Sequence, residues 1–325
     1  MKVLMLRAQI TNDNERFMCH DKLQDEDDWY VLLINELLAQ GYVDEAQVWY
    51  YGKERNPTRY DSGLLLKYEN FRGNYEPDVI FCRGGFPEYA PVNNRFKNAT
   101  KVYYGAGARF LPKDGINYDV ILTDSHGRKD KIKSVFPKSK VDIFHKGCAS
   151  HLFPYKRVEK KEYEIGNVTS IPSNKGQHTV GKTCHGMRFL NIGQFHGGLV
   201  DKYRKWGVKA SWTNRLHRKD VGFYLRKCKF IFVGDHWRAG CPRVIPECMS
   251  VGVPIILLDD IPVTKRYKPD FFAVRATKEN LREMIEWGLT STLNTPENSL
   301  KIHEYYEENF SLKICAKKFM NQISS

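Results

Sequence analysis

The part of this 325-residue chain richest in groups able to do chemistry runs from Phe232 to Asp260, FVGDHWRAGCPRVIPECMSVGVPIILLDD. An apolar run ends at Val233 and a loop containing Gly240 follows. Pro242 suits a first helical turn, where its missing N–H would have had no partner in any case. The pattern then predicts a helix over Arg243 to Val251. The amides of Arg243 and Val244 would point out of its start, where unpaired N–H groups attract phosphate. Arg243 adds a forked, permanently charged donor. Glu247 stands at i+4 from Arg243 and shares its face, where a carboxylate can accept the hydroxyls of a ribose. Gly252 ends the helix, and Val253 to Leu258 returns as a buried strand. Phosphate and ribose contacts on one short helix are what a nucleoside diphosphate requires. Two competing readings use the same residues. Arg243 and Glu247 could form a solvated ion pair, or Pro246 could start the helix and leave Arg243 in the loop.

The elements that must position this segment follow from apolar runs. Val3–Ala8, Ala46–Tyr51, Asp78–Cys82, Lys101–Tyr104, Val120–Thr123 and Val141–Phe144 read as strands, with a helix over Asp28 to Ala39 closed by Gly41. After the polar stretch Pro154–Lys161, read as a linker, strands recur at Tyr163–Ile165, Arg188–Ile192, Val208–Ser211, Phe230–Val233 and Pro254–Leu258. Further helices are expected at Lys219–Lys227 and Lys278–Trp287, and over Pro296–Ile323 with a break near Asn309–Ser311. Unalternating apolar runs indicate parallel sheets buried on both faces. The expected fold class is therefore α/β, with two Rossmann-like domains facing each other across a cleft. Ligands of such sheets bind outside the carboxyl ends of the strands. Residues 1–155 form the acceptor domain on this reading and 156–303 the donor domain, with a helix at 304–325 returning to the first.

Composition narrows the partners. There are 51 Lys and Arg against 38 Asp and Glu, a formal charge of +13 that suits an acidic partner such as nucleic acid, an anionic lipid or a phosphorylated substrate. A lysine-rich soluble surface explains the same number. The 8 cysteines include no C-x-x-C pair and several sit in apolar runs, so they read as buried free thiols of a reducing, cytoplasmic compartment. Met1–Ile10 is too short and too polar for a signal peptide or a membrane span.

The segment Glu247-Cys-Met249-Ser-Val-Gly252-Val-Pro254-Ile255-Ile256 resembles the donor-binding signature of GT-B glycosyltransferases, Glu-Ala-Met-Ala-x-Gly-x-Pro followed by two β-branched residues. It is also similar to the Arg-Val-x-Glu-x-Met-x-Ser stretch of phage DNA β-glucosyltransferases and to the Arg-x-x-Glu of spore-coat-type enzymes, with an Arg-to-Glu spacing one residue longer. Ala239 stands where the large retaining family carries a second Glu. His145–Pro154 resembles the segment where such enzymes cross between domains. Gly166 with Lys175-Gly176 resembles the Gly-Arg … Lys-Gly loop after the first donor-domain strand, with Asn167 in place of the Arg. The resemblance implies that Lys175, Gly240, Arg243, Val244 and Glu247 bind a nucleotide-sugar donor, UDP-linked in the first instance. It implies no obligatory cofactor and no metal.

An acceptor hydroxyl needs a general base. Glu88, in the Gly-rich turn after a strand end, is the first candidate and Asp124 the second; Arg83, Gly84 and Gly85 are candidate anion contacts. Asp25-Glu26-Asp27 precedes an amphipathic helix and is rejected as a metal site. The basic stretch from Arg204 to Lys229, interleaved with Trp206, Trp212 and Tyr224, suits either DNA phosphates or a solvated surface. The sequence thus points to sugar transfer from a nucleoside-diphosphate donor to a hydroxyl of a glycan, a lipid-linked saccharide or a modified DNA base. A nucleotide-sugar epimerase and a non-catalytic nucleic-acid-binding protein are the alternatives.

Overall fold

The computed structural model describes residues 1–8, 28–51, 56–67, 71–72, 74–84, 86–105, 111–112, 114–158, 160–169, 176–193, 197–214, 216–234, 242–259 and 269–324. The chain divides into two compact units, one of Met1–Lys146 with Leu312–Ser325 and one of Gly147–Ser311.

The first unit is built on β1 (Lys2–Ala8), α1 (Trp29–Ala39), β2 (Glu45–Tyr51), β3 (Thr58–Arg59), β4 (Leu65–Lys67), β5 (Val79–Arg83), α2 (Tyr89–Arg95), β6 (Thr100–Gly105), β7 (Val120–Thr123), α3 (His126–Val135) and β8 (Lys140–Ile143). Its eight-stranded sheet has the order β3-β4-β2-β1-β5-β6-β7-β8. The β3–β4 pairing is antiparallel, and the pairings from β4 to β8 are parallel. Both faces are buried, as the apolar runs require. Val3, Met5, Phe81 and Tyr104 join one core, while Leu4, Leu6, Ile80 and Tyr103 join the other. Helix α1 starts where the Asp28 carboxylate accepts from the Tyr30 N–H at 3.0 Å. The closing helix of the chain, Leu312–Ile323, packs in the same core as α1, with Phe319 edge-on to Phe81 and Phe144 at 5.1 and 5.8 Å.

The second unit contains β9 (Tyr163–Thr169), α4 (Gln177–Thr183), β10 (Arg188–Gly193), α5 (Gly197–Lys205), β11 (Lys209–Trp212), α6 (Arg218–Arg226), β12 (Cys228–Val233), α7 (Val244–Ser250), β13 (Ile255–Leu258), β14 (Ala273–Ala276), α8 (Leu281–Thr290) and α9 (Pro296–Phe310). Its six-stranded parallel sheet runs β11-β10-β9-β12-β13-β14. Here too the strands alternate between two cores: Ile231, Val233 and Ile255 face one, Phe230, Phe232 and Ile256 the other. Ser311 separates α9 from the closing helix, α10. No described helix is long and apolar enough to cross a membrane.

Strand β9 extends to Thr169, four residues beyond its expected end at Ile165. Asn167 and Thr169 read as loop because they are polar. They are buried inside the strand, where Asn167 Nδ2 donates to the Phe232 carbonyl at 3.1 Å. Gly166 consequently lies mid-strand, and its small size has a packing cause. A Cβ there would come within 2.6 Å of Cys228 Sγ and 2.7 Å of Ile231 Cδ1.

Candidate functional site

In each sheet the first strand has its successor on one side and a later strand on the other. Such a reversal opens a crevice at the carboxyl ends of the two strands. In the second unit it lies between β9 and β12. Gly176, left-handed at φ 69°, caps α4 beyond β9, and Gly234 follows β12. A Cβ on Gly234 would stand 3.0 Å from Gly176 Cα, so the two chain segments approach closely. Beneath them lies a buried amide cluster. Gln177 Nε2 donates to Asn191 Oδ1 at 2.9 Å and to Thr169 Oγ1 at 3.2 Å, while its side-chain Oε1 is buried with no partner among the described residues. Unpaired buried polar atoms are uncommon in stable folds, so each calls for a specific cause.

Helix α7 follows β12 and carries Glu247. It begins at Val244, with Arg243 as its exposed N-cap and Pro242 before it. Pro246 occupies the third helical position, where the absent N–H breaks no intrahelical bond. The reading in which Pro246 starts the helix therefore does not hold. Every residue of α7 is buried. The helix is fixed by Ser250 Oγ donating to the Phe153 carbonyl at 2.9 Å and by the Cys148 thiol donating to the Pro246 carbonyl at 3.6 Å. Gly252 ends it at φ +69°, and a Cβ there would lie 2.4 Å from the Ser299 carbonyl oxygen.

Glu247 is 7% exposed. Its Oε1 accepts from Arg218 Nη2 at 3.0 Å, and the Arg218 guanidinium lies 5.8 Å from the centre of the Phe153 ring. A buried carboxylate is therefore held by a cation 29 positions earlier, on α6. The spacing within the motif could not reveal Arg218; the one signal was its place in the basic stretch. Lys175 and Gly240 lie outside the described residues.

In the first unit the reversal falls between β1 and β5. Arg7, near the end of β1, pairs with Asp28, whose side chain is 8% exposed. Arg83, at the end of β5, lies over the Tyr30 ring at 5.3 Å, and its carbonyl accepts from the Tyr89 hydroxyl at 3.1 Å. Gly84 follows at φ +79°, with its N–H donating to the Tyr104 carbonyl at 3.3 Å. Gly85 lies outside the described residues. Glu88 is the N-cap of α2 and makes no side-chain cap bond. Its Oε2 is buried with no hydrogen-bond partner among the described residues, and the side chain lines a cavity of about 440 Å³. Asp124 differs: it is 2% exposed, and its Oδ1 accepts from Arg128 at 2.9 Å, one turn along α3.

Other readings also meet the structure. Asp25-Glu26-Asp27 lies outside the described residues. The rings of the basic stretch are committed to packing, with Trp206 and Trp212 against Tyr203 at 5.6 and 5.1 Å. Arg226 is buried and donates to the Pro154 carbonyl at 2.9 Å. The described cysteines are free and buried, and burial pushes the Cys82 thiol up to about 12.

No family model matches the sequence, and no curated protein matches it. Solved structures do resemble it over its whole length. Sucrose-phosphate synthase from Thermosynechococcus elongatus superposes with a TM-score of 0.71 at 10% identity, covering 98% of this chain and 97% of the other. HepE of Anabaena in complex with UDP gives 0.67 at 13%, covering 100% of both chains. Trehalose-6-phosphate synthase OtsA gives 0.65 at 10%, covering 100% and 99%. Two sheet-built units matched end to end by these solved structures give this chain the GT-B fold.

Proposed function

We propose that the chain transfers a sugar from a nucleoside-diphosphate donor, UDP-linked, to a hydroxyl acceptor. The observation that carries this reading is Glu247. It is a buried carboxylate on a rigidly held helix after β12, beside the strand reversal of the second unit, in a chain with the fold of nucleotide-sugar enzymes. Its Oε1 is engaged by Arg218, and Oε2 is the atom assigned to the ribose hydroxyls. Arg243 and Lys175 are assigned to the diphosphate, together with the backbone at Gly240 and Val244.

In the reaction the acceptor oxygen forms a bond to the anomeric carbon as the bond from that carbon to the diphosphate oxygen breaks. The electron pair leaves on the diphosphate, where the two cations offset the developing charge. The acceptor proton passes to a carboxylate. Glu88 is assigned that role ahead of Asp124, because the Asp124 carboxylate already accepts from Arg128.

Incubation with a panel of nucleotide sugars tests the reading. A donor-specific release of UDP that Glu247→Ala abolishes is the expected result. No release from any nucleotide sugar, with or without added saccharides, would reject it.

A further inference from the structure

The cavity of the first unit surrounds one carboxylate with carbon. Glu88, Pro91, Val92 and Arg95 line it from α2, at i, i+3, i+4 and i+7. The charge of Arg95 is already engaged: its Nη2 donates to Asn74 Oδ1 at 3.4 Å, and its guanidinium lies 4.7 Å from the centre of the Phe96 ring. Tyr51 and Phe71 complete the lining, with their rings 5.5 Å apart. These two end a row of four rings, in which Phe71 meets Tyr89 at 5.8 Å and Tyr89 meets Phe86 at 5.4 Å. Tyr51, at the end of the row, is 39% exposed, so the row is open to extension there. Phe71 holds a backbone φ of 67°, a left-handed conformation that bulky residues adopt only under constraint and that clusters at ligand sites. The volume, about 440 Å³, lies in the range of small-molecule sites.

This lining sets the polarity of its ligand. Glu88 Oε2 is buried with no hydrogen-bond partner among the described residues, and a hydroxyl supplies the missing donor where an anion does not. A monosaccharide carries several hydroxyls. Those set against Pro91, Val92 and Phe71 would give up water for no partner, at about 1–3 kcal/mol each. A purely apolar ligand would leave the carboxylate oxygen unpaired. A flat ring with one hydroxyl avoids both costs. Its ring continues the aromatic row, offset or edge-on, and its hydroxyl donates to Glu88.

We propose that this cavity binds a neutral phenol, with the phenolic hydroxyl donating to Glu88 Oε2 and the ring packed on Tyr51 and Phe71. As the acceptor in sugar transfer, this ligand rests on the transferase reading above; as a bound ligand, it stands without it. A phenol, with a pKa of about 10, gives up its proton more readily than a sugar hydroxyl.

Calorimetric titration of the full chain with para-cresol, its methyl ether and methyl glucoside tests the proposal, with UDP titrated in parallel. The ether keeps the ring and lacks the proton to donate. The expected result is binding of para-cresol at least about tenfold tighter than of either other compound, the size of a hydrogen bond to a charged group. Glu88→Leu should bind para-cresol and the ether alike. Glu88 makes no side-chain cap bond to α2, so that variant should unfold at the wild-type temperature. Tyr51→Ala, at an exposed position, should weaken para-cresol by about threefold or more through the lost ring contact. Equal affinity for para-cresol and its ether, methyl glucoside binding as tightly as para-cresol, or no binding of any of the three would overturn the proposal. So would a preference for para-cresol that survives Glu88→Leu. UDP binding without para-cresol binding rejects the cavity assignment alone. Para-cresol binding without UDP binding rejects the donor reading and leaves the cavity assignment in place.

Discussion

Replacing Arg218 by Met keeps much of the side-chain volume and removes the charge that holds Glu247. The Glu247 side chain is 9% exposed and that of Arg218 21%, with Nη2 to Oε1 at 3.0 Å. Breaking a fully buried pair leaves an uncompensated charge and costs about 3–5 kcal/mol, whereas a surface pair is worth about 0–1 kcal/mol. Partial exposure of Arg218 lets water reach the abandoned carboxylate, which places the loss at about 2–3 kcal/mol. Glu247→Gln alone leaves the arginine partly solvated, and the double variant removes both charges. A double-mutant cycle should therefore show coupling of about 2 kcal/mol. The assay is urea unfolding followed by amide exchange of α7, because a chain of two units need not unfold in one step. A loss below about 0.5 kcal/mol for Arg218→Met, with no coupling in the cycle, would show that the pair behaves as a surface contact. The account of Glu247 as a positioned carboxylate would then be wrong.

Glu88→Gln should lower the turnover rate by roughly 10²–10⁴, the span of general-base effects, while UDP affinity in calorimetry is retained; an unchanged rate removes Glu88 from the mechanism. Gly252→Ala should destabilise the second unit by more than about 1 kcal/mol, since it combines a left-handed φ with a Cβ 2.4 Å from the Ser299 carbonyl; a neutral result in urea unfolding would contradict that contact. Asp142 gives a pH signature. Burial pushes its carboxyl up, but the Ile143 N–H at 2.8 Å, the Lys129 ammonium at 3.2 Å and the Gln322 amide at 3.2 Å outweigh it and hold the carboxyl below 3.8. A depressed folded-state value means the contribution is complete above the ordinary value and is lost as pH falls through the depressed one. Wild type should therefore lose urea resistance more steeply than Asp142→Asn below about pH 4; parallel curves would refute the assignment.

How much of this was legible depended on what each residue's burial does to its neighbours. The long strands of both sheets stand out because burial on two faces demands unbroken apolar runs, as in Val3–Leu6 and Ile255–Leu258. Helix α3 left no such trace: Ile132 is its buried residue, so HGRKDKIKSV carries no apolar stripe. The second half of β9 was hidden for the opposite reason. Asn167 and Thr169 look like loop residues but are held inside the sheet by bonds that local spacing does not show, Asn167 Nδ2 to the Phe232 carbonyl and Thr169 Oγ1 from Gln177 Nε2. In the candidate segment, the helix carrying Glu247 and its exit at Gly252 and Pro254 were readable from local spacing. Arg218 and Gln177 were not, since their roles come from pairings across elements that only the folded sheet brings together.

The central claim is that Glu247 grips the nucleotide, and calorimetric titration of UDP into wild type and Glu247→Ala tests it most directly. The account predicts measurable UDP binding in wild type and a loss of about tenfold or more in the variant, the value of hydrogen bonds to a charged group. Equal UDP affinity in the two proteins, with both folded, would contradict it.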